Sequence, residues 1–327
     1  MKNKLKIIFA GTPDFAVPTL KALIGDADFD IVAVITQEDK PVGRKQILTP
    51  PPVKVIAEEN KIKIFQPAKI KLIQDEIKAL APDFLIVVAY GKLLPQAILD
   101  IPKYGCVNVH ASLLPRWRGA AVIQAPILAG DAQTGVTIMK MDAGLDTGPI
   151  IAQMKVNILP GETAETLHDE LAKLGAMMLP ETLKSFAAGK MELKPQDEKF
   201  VTYARELKKE DGKIDWSKSA LEIERMVRAY TPWPSAFGQL RIKNEEFPPE
   251  ADQPFAEKII KILAADDNIV SVNKHTVGEL FLADNKLAVQ TGDGALVIKK
   301  LQLEGGKPMN AEEFLRGHAD FVGTVLS

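Results

Sequence analysis

The chain has 327 residues, 46% of them hydrophobic and 26% charged, with a formal net charge of −2, the balance of a soluble globular protein. That length exceeds one ordinary core and predicts two domains. Residues 200–327 carry 17 Lys+Arg against 20 Asp+Glu, and residues 1–199 carry 24 against 23. Neither half is the strongly basic domain that nucleic-acid binding advertises, so any RNA contact must rest on local patches.

In chain order, short apolar runs alternate with helix-like stretches. "LKIIFA", "DIVAVIT", "IKIF", "FLIVVA" and "CVNVH" read as strands, several continuous enough to be buried on both faces. Between them "DFAVPTLKALIG" starts a helix with Asp14 as N-cap, "VKVIAEEN" follows three prolines, and "KLIQDEIKAL" has helical spacing. This alternation predicts an α/β fold with a Rossmann-like, doubly wound, mostly parallel sheet. Thr36 to Pro52 reads as its longest loop, with Lys40, Arg44 and Lys45 around Gly43. "TGVTIMKM" and "IIAQMKVNI" flank the loop "DAGLDTGP", and a helix from about Ala164 to Ala188 closes a domain assigned to residues 1–190.

Around "GKMELKPQDEKFVTYARELKKEDGKIDW" periodicity fails and charge dominates, so residues 191–208 read as a linker. From 209 to 327 the pattern changes to one amphipathic helix, "SALEIERMVRAYTPWP", followed by short strands with turn signals. That pattern predicts a smaller C-terminal OB-like β-barrel. Cys106 is the only cysteine and the four histidines lack metal-ligand spacing, so neither disulfide nor metal is expected. The apolar run at the start is too short for a signal peptide, and no run approaches the roughly 20 residues of a bilayer span. A cytoplasmic monomer is expected.

"FAGTPDF" follows the first strand but lacks the further glycines of a dinucleotide fingerprint. "VNVHASLLPRWRGA" is more informative. Asn108 and His110 sit two apart, so on an extended strand they share one face and can offer an amide and an imidazole to one substrate atom. Alone, either residue would more often be a polar strand end. In "MDAGLDTGP", Asp142 and Asp146 lie on a glycine-punctuated loop. A carboxylate there can orient and charge a histidine while an amide stabilises a developing oxyanion. His168, His275 and His318 read as surface or capping residues, and Trp117 as support for the loop.

"NVHASLLPRWRGAAVIQAPILAGD" with "GVTIMKMDAGLDTGP" resembles the folate-dependent formyltransferases. "IIFAGTPDFAVPTL", "TQEDKPVGR", "PPVKVIAEE", "VVAYGKLLP" and "IDWSKSALEIERMVRAYTPWP" carry the same likeness, which thins at residues 241–275. The resemblance implies formyl transfer from 10-formyltetrahydrofolate to an amine, with initiator tRNA charged with methionine as partner. It implies Asn108, His110 and Asp146 as the catalytic trio, leaving open whether His110 or Asp146 is the base. It places Ser112, Leu113, Leu114 and Pro115 against the folate and the Thr36–Pro52 segment, with Arg44 and Lys45, against the acceptor end of the tRNA. On this reading residues 209–327 help hold the tRNA. A formyltransferase acting on glycinamide ribonucleotide or an amino sugar is the nearest rival. A nicotinamide-dependent oxidoreductase lacks its glycine fingerprint here, and a non-enzymatic RNA-binding module leaves Asn108, His110 and Asp146 unexplained.

Overall fold

The computed structural model describes residues 4–43, 45–243 and 255–327. Contacts group them into two units that do not follow linear order. One takes residues up to Val122 with Gln133–Asn157 and His168–Arg205; the other takes Ile123–Ala132, Ile158–Leu167 and Glu206–Ser327.

The first unit is built on seven strands. They are β1 (Leu5–Gly11), β2 (Phe29–Ile35), β5 (Ile64–Phe65), β6 (Phe84–Val88), β7 (Cys106–His110), β9 (Gln133–Lys140) and β10 (Ile150–Asn157). Their order is β10-β9-β7-β6-β1-β2-β5. The pairs from β5 to β7 are parallel, whereas β9 and β10 run antiparallel at one edge. The chain leaves β1 towards β2 and later returns to the other side of β1 as β6. A crevice therefore opens at the carboxyl ends of β1 and β6, where open α/β sheets bind their ligands. The mostly parallel doubly wound sheet is as the alternation predicts.

Alternation along the strands explains the two faces. Ile8, Ala10, Leu85, Val87 and Cys106 join one cluster with Ile70, Ile77 and Ile98. Those three come from α3 (Gln74–Leu80), the 3₁₀ turn before it and α4 (Gln96–Leu99). Ile7, Phe9 and Val107 are buried facing the other way. On that face Gly175 of α6 (Ala164–Ala187) lies against Val109, close enough that a Cβ would crowd it, and Lys184 reaches Asp26 at 3.3 Å. The first helical segment is a 3₁₀ turn, Asp14–Ala16, ahead of α1 (Val17–Gly25), with Pro13 rather than Asp14 at the cap. Pro18, in the first turn of α1, fits where its missing N–H costs nothing.

Burial pushes the Cys106 thiol up to about 12. A maleimide reagent at about pH 8 should leave the native protein unmodified and label it only on unfolding. Native-state labelling as fast as that of an unstructured peptide thiol would contradict this packing.

The Thr36–Pro52 segment is more ordered than a loop reading allows. Strands β3 (Lys40–Val42) and β4 (Ile47–Thr49) pair antiparallel as a hairpin ahead of α2 (Pro52–Glu59). At its base Asp39 accepts from Gln66 at 2.7 Å and from Lys54 at 2.8 Å. The Gln66 amide first and the Lys54 ammonium next hold its carboxyl below the usual range. Only six residues form the ladder, too few for periodicity to register.

The second unit carries α5 (Gln124–Ala129) against α7 (Ala220–Ala229), then β12 (Ala236–Lys243), β13 (Phe255–Ala265), β14 (Leu280–Ala283), β15 (Lys286–Gln290), β16 (Ala295–Leu303), β17 (Met309–Asn310) and α8 (Ala311–Gly317). Sheet order is β12-β13-β16-β15-β14 with β17 beside β16. The tail closes it: Ser327 exchanges backbone bonds with Gln239 of β12, while Gly323 donates to Leu280 of β14 and Leu280 to Thr324. The result is the small antiparallel barrel that the short strands predict. Ile223 and Val227 of α7 and Phe314 of α8 pack into its core with Leu240, Ile260 and Leu301. Ser219 caps α7 in a capping box with Glu222. No helix among the described residues is long and apolar enough to cross a membrane.

Candidate active site

Asn108 lies at the middle of β7 and His110 ends it at the carboxyl edge of the sheet, and both are buried. They share the face of Cys106, opposite Val109 and α6, as their two-residue spacing requires. The Asn108 amide has no hydrogen-bond partner among the described residues. A buried amide left open in this way is available to a substrate.

His110 Nε2 lies 3.0 Å from the Trp117 carbonyl oxygen. That oxygen only accepts, so Nε2 carries a hydrogen and Nδ1 is the nitrogen free for chemistry. The ring orientation is therefore set by a backbone carbonyl. Nδ1 faces Asp146, whose Oδ1 stands 3.8 Å away, beyond a direct hydrogen bond. The carboxylate can still stabilise charge on the imidazole without occupying its working nitrogen.

Asp146 is fixed from another side. Its Oδ2 accepts from the Gly119 N–H at 2.9 Å, and its backbone sits in the left-handed region at φ 54°. Trp117 is also left-handed, at φ 63°, a conformation that costs a non-glycine residue about 1–3 kcal/mol and persists only where surroundings fix it. The Trp117 N–H donates to Thr202 Oγ1 at 2.9 Å, and the Arg116 guanidinium lies 4.4 Å over its ring. The sequence reading of Trp117 as loop support accounts for its ring but not for its carbonyl.

The loop from Trp117 to Ala120 runs beside a second segment. Arg118 and Gly119 form a short strand, β8, parallel to β11 (Tyr203–Ala204), and Gly119, at φ 118°, lets the Ala204 carbonyl approach closely. Arg118 is buried to 1% exposure. It donates to Gln196 Oε1 at 2.8 Å and to Glu198 Oε1 at 2.8 Å. Burial works against its charge, but Glu198 and then Tyr203 outweigh burial and raise its pKa above the ordinary value. Residues of the segment that the sequence presents as a linker thus line up along the site. Neither apolar periodicity nor a motif marks Gln196, Glu198 or Thr202.

The Ser112–Pro115 stretch is tied down internally. Ser112 donates to the Arg116 carbonyl at 2.7 Å, and the Ser112 carbonyl accepts from Thr137 at 2.6 Å. The Leu114 N–H donates to Thr137 and its carbonyl accepts from Gln153 at 2.8 Å. Ser112 and Leu114 are buried, whereas Leu113 and Pro115 are half-buried. Asp142, the other loop aspartate, accepts from Thr147 and the Gly144 N–H and so serves as a turn brace. Arg44 lies outside the described residues, and Lys45 is exposed at the tip of the β3–β4 hairpin. His168 contacts Asp169 and Asp14, His275 stacks on Phe281, and His318 lies between Phe314 and Phe321. Among the described residues, no three His, Cys, Asp or Glu side chains converge as a metal site requires.

Comparison with known proteins decides the family. Residues 4–183 match the family described as "Formyl transferase", and residues 206–319 match "Formyl transferase, C-terminal domain". The chain belongs to the formyl transferase family. The methionyl-tRNA formyltransferase of Pseudomonas fluorescens (strain Pf-5) is 45% identical over 100% of this chain and 98% of its own length. That of Hydrogenovibrio crunogenus is 46% identical over 96% of each chain. Among solved structures, the N-formyltransferase from Helicobacter canadensis, in complex with folinic acid and dTDP-3-aminofucose, covers 90% of this chain and 99% of its own. Its TM-score is 0.63 at 20% identity, a likeness of fold.

Proposed function

We propose that this formyl transferase moves the formyl group of 10-formyltetrahydrofolate to the α-amino group of methionine on initiator methionyl-tRNA, acting as a cytoplasmic monomer in translation initiation. The observation that carries the reading is identity of 43–46% along essentially the whole chain, barrel included, to proteins of that activity. The rival reading, transfer to a nucleotide-linked amino sugar, rests on a neighbour of only 20% identity.

The site chemistry fits. The amine nitrogen attacks the formyl carbon, and negative charge gathers on the formyl oxygen. Asn108, whose amide has no internal partner, donates to that oxygen. His110, protonated on Nδ1, donates beside it, while Nε2–H stays on the Trp117 carbonyl. Asp146 stabilises the imidazolium and takes part in moving the amine proton to the departing folate nitrogen. Loss of that proton from the amine and its gain by the leaving nitrogen balance the transfer. Leu113 and Pro115, half-buried in the loop that follows β7, are the parts of the Ser112–Pro115 stretch left to touch folate; Ser112 and Leu114 hold its path.

The β3–β4 hairpin would grip the acceptor end of the tRNA. Lys45 is exposed at its tip together with Val42, Ile47 and Leu48, so charge and apolar surface meet there, and Lys40 is exposed at its base. Arg44, between Gly43 and Lys45 in sequence, belongs to the same proposal. Lys45→Ala should leave folate affinity unchanged and lower kcat/KM for methionyl-tRNA. Loss of one phosphate contact should also reduce the salt slope by about one. A slope and kcat/KM equal to wild type across the salt series would remove Lys45 from the interface.

The reading itself is tested by offering labelled 10-formyltetrahydrofolate with methionyl-tRNA, free methionine and a nucleotide-linked amino sugar in one mixture. Label should appear on methionyl-tRNA. Label chiefly on the sugar would establish the rival.

A further inference from the structure

We propose that Gln196 is a positioning residue, which fixes the distance between the Asp146 carboxylate and His110 by holding the backbone of the Asp146 loop; this inference rests on the formyl-transfer reading above. Its carboxamide uses all its hydrogen-bonding capacity between two parts of the site. Oε1 accepts from Arg118 Nε at 3.0 Å and from Nη2 at 2.8 Å. Nε2 donates to the Asp146 carbonyl at 2.7 Å and to the Gly148 carbonyl at 2.8 Å. The orientation of the amide is forced, because a guanidinium only donates and a carbonyl only accepts.

These bonds complete a ring of contacts. Trp117, Arg118 and Gly119 are consecutive: the first takes the His110 hydrogen on its carbonyl, the second binds Gln196, and the third donates to the Asp146 carboxylate. Gln196 joins Arg118 back to the Asp146 backbone. Without it, the peptides from Asp146 to Gly148 lose two bonds at once. Asp146 sits at positive φ between Gly144 and Gly148, a stretch otherwise braced by the Asp142 bonds to the Thr147 hydroxyl and the Gly144 N–H, neither of which engages the Asp146 or Gly148 carbonyl. The Gly119 bond would then tether only the tip of the carboxylate, and its separation of 3.8 Å from Nδ1 would no longer be fixed. Arg118 itself is buried and also donates to Glu198, so the anchor on which Gln196 pulls is held by packing as well as by a second bond.

The test uses the full-length chain. Gln196→Glu keeps the shape and the acceptor for Arg118, but it turns an acceptor towards two carbonyl oxygens. Gln196→Met keeps approximate length and removes both functions. With saturating methionyl-tRNA, each variant is expected to lose kcat by roughly ten- to a hundredfold, the scale of an ångström-level misplacement, while KM for the folate stays within about twofold. In an Asp146→Asn background the same substitutions should change residual kcat by less than about twofold, because they act through that carboxylate. The role is overturned if kcat stays within about twofold of wild type, or if the loss is equal in both backgrounds. It is likewise overturned if neither variant folds, or if kcat is lost only in step with Tm and folate binding, since Gln196 would then be a brace for the fold. Wild-type turnover in the same assay separates the two readings: no transfer by wild type refutes formylation of methionyl-tRNA, whereas normal transfer by wild type and variants alike refutes positioning alone.

Discussion

Asp146→Asn and His110→Ala are each expected to lower kcat by roughly three to four orders of magnitude while leaving a folded protein that binds folate. Asparagine keeps the shape of the side chain and an oxygen for the Gly119 N–H, which now meets Asp146 Oδ2 at 2.9 Å. It removes the negative charge that faces His110 Nδ1 and can turn an N–H towards that nitrogen, which opposes the protonated imidazole of the proposed mechanism. Alanine at 110 removes the imidazole itself and its bond to the Trp117 carbonyl, which keeps the Ser112 hydroxyl at 3.3 Å. Since both substitutions disable one proton-handling unit, the double variant should be little worse than the more damaged single variant. Steady-state kcat for the three proteins, with Tm as a control for folding, checks this. Near-normal kcat for Asp146→Asn would remove the carboxylate from the mechanism.

Asn108→Ala should show a different signature. The amide is buried and makes no hydrogen bond to the described residues, so its removal frees no internal partner and should barely change Tm. In the proposed mechanism its bond to the formyl oxygen strengthens as charge develops there, so the loss should fall on kcat with KM nearly unchanged. One such donor is worth about 2.7–4 kcal/mol of barrier, or roughly a hundred- to a thousandfold in rate. A rise in KM without a fall in kcat would recast Asn108 as a ground-state binding residue.

What the sequence discloses about this site follows how local each feature is. Buried parallel strands announce themselves as continuous apolar runs, so β1, β2, β6 and β7 and the sheet class are readable. Asn108 and His110 are readable as a pair because strand alternation is strict and both lie within one five-residue strand. Asp146 is visible as a loop residue between glycines. Distances across the chain are not encoded in such patterns. Gln196 and Thr202 lie 50 and 85 residues from the atoms they bond, in a charged stretch whose regular structure is a three-residue 3₁₀ turn, Glu198–Phe200, and a two-residue strand. The β3–β4 hairpin is hidden for a related reason, its strands being three residues each and fully exposed. The role of the Trp117 carbonyl is invisible in principle, since a backbone group leaves no mark on residue identity. The interleaving of the units has the same origin: Ile123–Ala132 groups with the second unit, where α5 packs against α7, a contact about a hundred residues away in the chain.

The most direct measurement is a single-turnover transfer. Full-length protein loaded with labelled 10-formyltetrahydrofolate is mixed with methionyl-tRNA, and labelled N-formylmethionine and released tetrahydrofolate are followed together. One labelled formyl group is expected on the methionine nitrogen for each tetrahydrofolate released, at a rate that collapses in Asp146→Asn though its folate affinity is retained. Release of tetrahydrofolate with no label on methionyl-tRNA, or transfer as fast in Asp146→Asn as in wild type, would contradict the proposed transfer.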